Sequence, residues 1–449
     1  MFDTWKQRQR QHLENRPERT VFHNIFATMM LVLTVELLMA AASILAVNVT
    51  GQLDENAKDL LTMRVRNRAS YVQEILRNAE DLEQLSEQIT ATTQQLLKSG
   101  DISLDTLDNS SEQSDALLVA LAPQLLDTLR EKQVTGIFLM LNIHDLDTCE
   151  VGKKMPGIYL RDLDPDARPS ERNSDLLLER ASATVVKELA IGTDKGWQPA
   201  FPYQGDTNGG ILRTVFQAAY QDGASLSAES YGRWTTNSYC LAGDDRHAIA
   251  YSMPLILPDG TVYGVLGVEL LTEYLQTKLP FIELDEDKAG TYFIASTTDA
   301  LTDGVLTLRK TVTSGKDLVM ADARQGVLNC RSDGEGGSWL ELNGKRYYMV
   351  LEPLQLYNRN APFADEKWFL AGTMEQSVLL AFSSRVREVL LTTMVITLVL
   401  SVLGSLLVSA RLASPINRLY REVIDAQEKK TFPHLSRTAI REVDRFAET

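Results

Sequence analysis

The sequence is poor in the residues from which metal centres and disulfide frameworks are built. It has 3 cysteines and 5 histidines among 449 residues, so neither a histidine-rich metal site nor a dense set of disulfides is expected. It also lacks the spaced motifs of a serine-hydrolase elbow, a zinc-protease helix, a phosphate-binding loop and a Cys-x-x-Cys pair. We therefore expect no catalytic residue, no metal and no cofactor in this chain.

The three cysteines, Cys149, Cys240 and Cys330, all fall in the central part of the chain. An odd number leaves at least one thiol unpaired. A Cys149–Cys240 disulfide and three small buried thiols are both compatible with the sequence.

Positive charge is scarce in the middle of the chain. Residues 50–388 hold 32 Lys and Arg against 50 Asp and Glu, whereas residues 1–24 and 411–449 are mildly basic. A nucleic-acid-binding protein needs a basic face, so no nucleic-acid partner is expected.

Two long runs carry almost no charge. Residues 25–49 contain one charged side chain, Glu36, and residues 389–410 contain none. A hydrocarbon core of ~30 Å is crossed by about 20 helical residues, so both runs are predicted to be transmembrane helices.

The charges that flank these runs indicate an orientation. Five Lys and Arg lie within residues 1–24, and Arg411, Arg418 and Arg421 follow the second run. The positive-inside rule therefore predicts a two-pass membrane protein with both termini in the cytoplasm and residues 50–388 outside.

Residues 52–99 contain neither proline nor glycine, and Gly100 follows them. Apolar residues recur there at steps of mostly three and four, which is the spacing of one face of a helix. One long helix is predicted, continuous with the first span. Its apolar stripe is explained by a dimer partner or by the helix covering its own domain, and both can hold.

Two strand-rich units are predicted between the spans, which makes the fold class α+β. In residues 100–282, the segments HAIAYSMPLIL and TVYGVLGVELL are strands joined by the turn Pro258-Asp259-Gly260. Residues 283–388 contain a hairpin around Asn343-Gly344 and end in a helix that runs into the second span.

The segments IAYSMPLILPDGTVYGVLGVEL and KWFLAGTMEQSVLLAF resemble those that close the two modules of the double Cache family of bacterial transmembrane sensors. The resemblance covers residues 50–388. It implies two tandem PAS-like modules on a long N-terminal helix: a membrane-distal module at 100–282, which holds a small-molecule ligand, and a membrane-proximal module at 283–388. It also implies a place in the bacterial cytoplasmic membrane.

Residues 411–449 resemble a HAMP linker. Pro415 takes the start of its first helix, Ile416 and Leu419 lie on its apolar seam, and Glu442 takes the start of its second helix. HAMP units are parallel four-helix bundles in dimers, so a homodimer is implied.

Receptors of this build pass a signal to a cytoplasmic output domain or signalling partner of the diguanylate cyclase, histidine kinase or chemoreceptor type. No such module is found up to Thr449. We expect the chain to be the sensory half of a longer transducer or a truncated one, with any enzymatic activity beyond Thr449.

The resemblance also implies ligand-binding positions. Arg213 matches an arginine that clamps a ligand carboxylate, Phe216 and Tyr239 match two aromatic positions, and Glu269 matches a final acidic position. Trp234 is a further candidate to line the pocket. Structural roles remain open beside these: an edge cation for Arg213, a helix-start carboxylate for Glu269 and a core side chain for Trp234.

Two positions depart from the family's amino-acid-binding pattern. Val215 stands where a Trp is usual, and Leu241 stands where an Asp is usual. An organic anion or an amine is therefore considered beside an amino acid.

Glu36 is a costly residue inside a span, by about 2.5–3.5 kcal/mol on insertion scales. A signalling contact with Thr392, Thr393 or Thr397 of the second span, or with its dimer mate, is one reading. A tolerated protonated carboxyl group is the other.

We predict a sensory receptor in which ligand binding outside biases the helices that leave the proximal module. The alternative is an extracytoplasmic enzyme or adhesion module tethered to the membrane. A tether does not need the joint at Ser414-Pro415-Ile416, so that joint favours the receptor.

Overall fold

The computed structural model describes residues 21–46, 49–167, 173–203, 212–284, 290–298, 305–315, 327–332, 337–342, 344–358 and 361–428. The chain forms two compact units. One consists of residues 57–379, and the other of residues 1–56 with 380–449.

The described helices are α1 (Val21–Ala46), α2 (Val49–Glu80), α3 (Glu83–Ser99), α4 (Ser111–Lys132), α5 (Ala183–Leu189), α6 (Arg213–Gln221), α7 (Thr272–Thr277), α8 (Gln376–Leu379) and α9 (Ala381–Glu428). The first strands are β1 (Gly136–Leu141), β2 (Lys154–Met155), β3 (Gly157–Asp162), β4 (Leu176–Arg180), β5 (Gly192–Gln198), β6 (Phe201–Pro202), β7 (Arg233–Trp234), β8 (Ala248–Ile256) and β9 (Val262–Leu271). The later strands are β10 (Gly290–Thr297), β11 (Val305–Gly315), β12 (Val327–Ser332), β13 (Gly337–Leu342), β14 (Lys345–Leu354) and β15 (Lys367–Glu375).

The unit formed by the chain ends contains α1 and α9. Within the described residues, one stretch, Ala381–Asp425, is long and apolar enough to cross a membrane, and a shorter apolar helix covers Ile25–Ala40. Both predicted spans thus lie in helices. That both cross a membrane stays a prediction.

The predicted start of a helix at Pro415 is wrong, because α9 runs through this residue without a break. Proline lacks a backbone N–H, so the helix loses one hydrogen bond there. Helical residues on both sides nevertheless carry α9 on to Glu428. Glu442 lies outside the described residues.

The predicted single helix over 52–99 is divided. Helix α2 ends at Glu80 and α3 begins at Glu83, although the apolar spacing continues across the break at Leu82. The expected end at Gly100 is confirmed: its φ of 83° is left-handed, and its N–H bonds back to Leu97 at 3.3 Å.

The apolar stripe of α2 and α3 is buried inside this chain, so it covers its own domain. Its members are less than 6% exposed and belong to one core cluster: Leu61, Val65, Ala69, Val72, Leu76, Ala79, Leu82, Leu85 and Ile89. The second expected role, a dimer surface, stays a prediction.

The first β-region is a seven-stranded sheet in the order β5-β4-β3-β1-β9-β8-β7. Side chains alternate between its faces. One face, with Leu139 and Leu266, belongs to the same core cluster as α2, α3 and α4. The opposite face, with Phe138 and Tyr159, belongs to a second cluster that includes residues of α6. We call this opposite face the α6 face.

The second β-region is a closed six-stranded barrel, β10 to β15. The predicted hairpin is present as β13 and β14. The barrel packs closely against α2 at Gly372 of β15, where a Cβ atom would lie only 2.3 Å from Val65 Cγ2. A side chain at this position would therefore push the barrel and the helix apart.

Candidate functional site

The centre of the candidate site is an arginine–glutamate pair that spans three strands. Arg161 on β3 and Glu269 on β9 both lie opposite Gly136 of β1, which stands between them. Because Gly136 has no side chain, the two long side chains meet across it; a Cβ there would lie 3.1 Å from Glu269 Oε1. Arg161 Nε donates to Glu269 Oε1 and Nη2 donates to Oε2, each at 2.8 Å, so the pair is bidentate.

Both side chains of this pair are fully buried. Arg161 Nη1 also donates to Glu179 Oε1 at 2.7 Å and to Asp244 Oδ2 at 2.5 Å. Burial acts to lower the pKa of Arg161, but the charges and hydrogen bonds of its partners, Glu269 first among them, together raise the pKa above its ordinary value. The guanidinium group therefore stays charged, held by three carboxyl groups.

A second arginine closes the edge of the cluster. Arg246 Nε donates to Asp244 Oδ1 at 2.8 Å, and Nη2 donates to Glu179 Oε1 at 3.0 Å and to Asp194. Burial raises the pKa of Glu179 to about 7. Burial also acts to raise the pKa of Asp244, but hydrogen bonds from Arg246 and Arg161 lower it to about 2.

Three of these carboxyl groups are close enough to share a cation. Ligand atoms of Glu179, Asp194 and Asp244 lie within 4.8 Å of one another. Arg161 and Arg246 already donate to all three carboxyl groups, so we assign no metal to this cluster.

Two phenols complete the surroundings of Glu269. Its Oε2 accepts hydrogen bonds from the hydroxyls of Tyr159 and of Tyr239, the latter at 3.1 Å. The two phenol oxygens are 2.9 Å apart. Burial is the main cause that raises the pKa of both phenols, so both remain neutral donors near pH 7.

Helix α6 covers this polar group with apolar side chains. Val215, Phe216 and Ala219 are almost fully buried and share one cluster with Phe138 and Tyr239 of the α6 face. We call this buried polar group, together with its aromatic neighbours, the chamber. It offers hydrogen-bond donors and acceptors, the groups that fix a polar ligand in a binding site.

Arg213 forms an ion pair with a residue that is not part of this chamber. Arg213 begins α6, and its Nη2 donates to Asp147 Oδ1 at 2.5 Å. On the next turn, Gln217 Nε2 donates to Asp145 Oδ1 at 2.7 Å and to Asp147 Oδ2 at 2.9 Å. In these contacts the start of α6 holds the 145–147 segment.

Trp234 belongs to the other side of the sheet. It is fully buried, stacks at a tilt on Tyr251 with centroids 5.6 Å apart, and lies in the cluster of the long helices. Its Nε1 donates to Glu80 Oε2 at 3.0 Å, at the end of α2. Burial raises the pKa of Glu80 to about 7.

Of the five residues predicted to bind ligand, the structure therefore brings together Phe216, Tyr239 and Glu269. The ion pair of Arg213 with Asp147 and the hydrogen bond of Trp234 to Glu80 lie elsewhere. The binding role of each of the five stays a prediction.

The signalling residues are placed only in part. Glu36 is exposed on α1 and has no hydrogen-bond partner among the described residues, and the hydroxyls of Thr392, Thr393 and Thr397 donate to carbonyls of their own helix. Ile416 is 37% exposed on α9. Leu419 lies on the same helix.

Sequence reasoning missed the arginine at the centre. Arg161 and Glu179 each stand in a short apolar strand, in GIYLRD and LLLER. A charged residue in a strand that is otherwise buried must be paired, and that signal could have found both. Gly136 gave no such signal, because its importance depends on which strands flank β1.

All three cysteines are free thiols. Cys330 is buried in the barrel, while Cys149 and Cys240 are partly exposed. The structure therefore has three separate thiols and no Cys149–Cys240 disulfide.

No protein-family model and no curated protein matches the chain. Several solved structures are similar to it. The periplasmic sensory domain of the Campylobacter jejuni chemoreceptor Tlp1 is 13% identical over 73% of this chain and 98% of its own length, with a TM-score of 0.42. The ligand-binding domain of the Pseudomonas aeruginosa amino acid chemoreceptor PctB, in complex with L-Arg, is 13% identical over 73% and 97%, with a TM-score of 0.35.

A third similar structure is the ligand-binding domain of the Pseudomonas fluorescens chemoreceptor CtaA in complex with L-isoleucine. It is 14% identical over 75% of this chain and 99% of its own, with a TM-score of 0.33. The matched chains are sensory or ligand-binding domains of receptors, the class to which the Cache resemblance pointed. Identities and scores this low give no ground for transferring a ligand, so the function has to be inferred from the side chains of this chain.

Proposed function

We propose that this chain is a transmembrane sensory receptor whose seven-stranded sheet binds a small ligand on its α6 face. The observation that carries the proposal is the fully buried Arg161–Glu269 pair with its phenols. Buried ion pairs are often neutral or unfavourable for stability compared with apolar packing. A cluster of them under a helix is therefore better explained by recognition than by folding.

The charges of the chamber favour a ligand that carries an amine. Four carboxyl groups lie near three guanidinium groups: Glu269, Glu179, Asp244 and Asp194, and Arg161, Arg246 and Arg180. Because Glu179 titrates near neutral pH, the group can accept one more positive charge by releasing a proton. An organic anion would instead face the carboxyl groups. An amino acid or an amine is thus preferred over an organic acid.

The ligand would act by competing for Glu269. Since the glutamate is buried and already bonded on both oxygens, an ammonium group reaches it only when Arg161 is displaced. Binding then favours an arrangement of β3 and β9 that the unliganded protein rarely visits, which is a shift of populations.

The signal would leave through α9. In this proposal residues 50–388 lie outside the bacterial cytoplasmic membrane, α1 and α9 cross it, and a HAMP-like segment from residue 411 onward acts in a homodimer. The output is a domain or partner in the cytoplasm. The apolar composition of α9 supports the crossing.

The test is thermal unfolding of the full chain in lipid nanodiscs against amino acids, amines and organic acids. A ligand at ~100 times its dissociation constant adds about 2.7 kcal/mol of stability, which is a readable shift. We expect amine-bearing hits whose shift is lost in Glu269→Gln and weakened in Tyr239→Phe, which keeps the ion pair.

Glu273→Gln is the matched control, because Glu273 is exposed four residues further along the chain, in α7. The same ligands should raise the melting temperature of Glu273→Gln and of the wild type by the same amount. Hits that survive in Glu269→Gln would move the binding site away from the chamber. The absence of any hit would refute a small-molecule receptor.

A further inference from the structure

A separate cavity of about 200 Å³ lies where the seven-stranded sheet meets the barrel. The sheet contributes Arg233 of β7 and Thr236, and the barrel contributes Ser296, Thr307 and Arg309. This space is large enough for several water molecules or for one small organic ion.

The barrel side of the cavity is polar because of strand alternation. Ser296 of β10 is directly opposite Arg309 of β11 in the register, so their side chains share one face. Thr307, two residues before Arg309, lies on the same face, whereas Leu308 between them is buried in the barrel core. Three polar side chains thus line up on the outside of the barrel wall.

The sheet side supplies a second guanidinium group. Arg233 Nε and Nη2 both donate to a single oxygen, Glu366 Oε1, at 2.9 and 2.5 Å. Nη1 has only a long bond of 3.4 Å to Thr214 Oγ1. An arginine has five N–H donors, so Arg233 keeps donors for a further acceptor.

The cavity therefore has an excess of positive charge. Two guanidinium groups, those of Arg233 and Arg309, line it together with one carboxyl group, that of Glu366. Arg309 is exposed and pairs with no acidic side chain among the described residues. Hydroxyl groups, which donate readily to anions, make up most of the remaining lining.

We propose that this cavity, which we call the seam site, binds a small oxyanion, either a carboxylate or a phosphate. Guanidinium groups match the two-oxygen edge of both anions. The seam site would hold the anion between Arg233 of the sheet and Arg309 of the barrel.

Binding at the seam site would couple the two β-regions. They are already joined there by Thr311 Oγ1, which donates to the carbonyl of Thr236 at 3.0 Å. An anion that contacts both walls binds only when the sheet and barrel are docked, so it stabilises that arrangement. The seam site shares no residue with the Glu269 chamber, so either site can fail without the other.

The experiment is isothermal titration of the full chain in nanodiscs with inorganic phosphate and, separately, with succinate, at constant ionic strength in chloride. The test variant is Arg309→Gln. The matched control is Arg331→Gln, because Arg331 is exposed on the neighbouring strand β12 and does not line the cavity. Loss of one charge-assisted contact should weaken binding about tenfold.

We expect binding that weakens about tenfold in Arg309→Gln and is unchanged in Arg331→Gln. Binding of phosphate alone would identify a phosphate source, and binding of succinate alone would identify an organic acid; both support the seam site. Equal affinity in wild type and Arg309→Gln, or no binding of either anion at millimolar concentrations, would overturn it.

Discussion

Replacing Gly372 by alanine should push the barrel away from α2. The new Cβ would lie 2.3 Å from Val65 Cγ2, a distance at which something must shift. Val65 is fully buried in the core, so it has no free space to turn into. Overpacking of this kind costs about 1–3 kcal/mol, and we expect Gly372→Ala to lower the free energy of unfolding by that amount.

The same geometry predicts a rescue. Val65→Ala alone removes two buried methyl groups and should cost about 2 kcal/mol from lost burial and the cavity that remains. In the double variant the clashing methyl is gone, and the next nearest atoms to the new Cβ, Val65 Cβ and Tyr292 Cε1, are both at 3.5 Å, an ordinary contact. The two changes together should therefore cost at least 1 kcal/mol less than their sum.

The assay is urea unfolding of the full chain in mild detergent, followed by tryptophan fluorescence, to which the buried Trp368 of β15 contributes. The four proteins of the cycle are compared at one temperature. Gly344→Ala is unsuitable as the control because its φ of 72° is left-handed, so Gly192→Ala serves, where a Cβ meets no atom within 4 Å. Costs that add within about 0.5 kcal/mol would show that Val65 and Gly372 are not in contact.

Two further predictions concern titration and reactivity. The pKa of Glu80 is about 7 in the folded chain against an ordinary 4.5, so the folded state binds this proton more tightly, and the stability that the proton contributes is lost as pH rises from 4.5 to above 7. The difference in melting temperature between Glu80→Gln and wild type should therefore grow in favour of the variant from pH 5 to pH 8. A difference independent of pH would contradict a buried Glu80. Burial raises the pKa of Cys330 to about 12. Iodoacetamide at pH 8 should therefore modify Cys149 and Cys240 in the folded chain and Cys330 only after unfolding, which mass spectrometry would show. Labelling of Cys330 in the folded chain would mean that the barrel opens.

The parts of the fold that could be predicted depend on residues close in sequence. The strands β8 and β9 follow from two apolar runs and the turn Pro258-Asp259-Gly260 between them. The end of α3 follows from Gly100, whose left-handed φ a side chain would strain.

The break between α2 and α3 could not be predicted, because it has no local signal. Neither proline nor glycine stands there, and the apolar spacing continues through Leu82. The break occurs next to Glu80, whose carboxyl group accepts the Trp234 Nε1 hydrogen, a partner that lies 154 residues further along the chain. The spacing of apolar residues along a helix does not reveal contacts between residues this far apart in sequence.

The candidate site was predicted only in part, because it too depends on contacts between residues far apart in sequence. Glu269 and Tyr239 could be placed by a resemblance in sequence, and they do meet. Arg161 meets them only because Gly136 leaves space on the strand between, and that depends on the order β3-β1-β9. Neither the strand order nor the empty position can be read from the residues around Arg161 alone.

The closure of the barrel has a consequence for how this chain meets other chains. Among the described strands, β10 pairs with both β11 and β15, so β10 has no open edge. A strand from another molecule therefore cannot pair with β10. The sheet does have a free side at β5, but Asp194 and Lys195 stand on that strand, and charges on an outer strand discourage uncontrolled pairing. Aggregation through β10 or β5 is therefore disfavoured, and we expect two copies of the chain to associate through helices and side chains rather than through these strands.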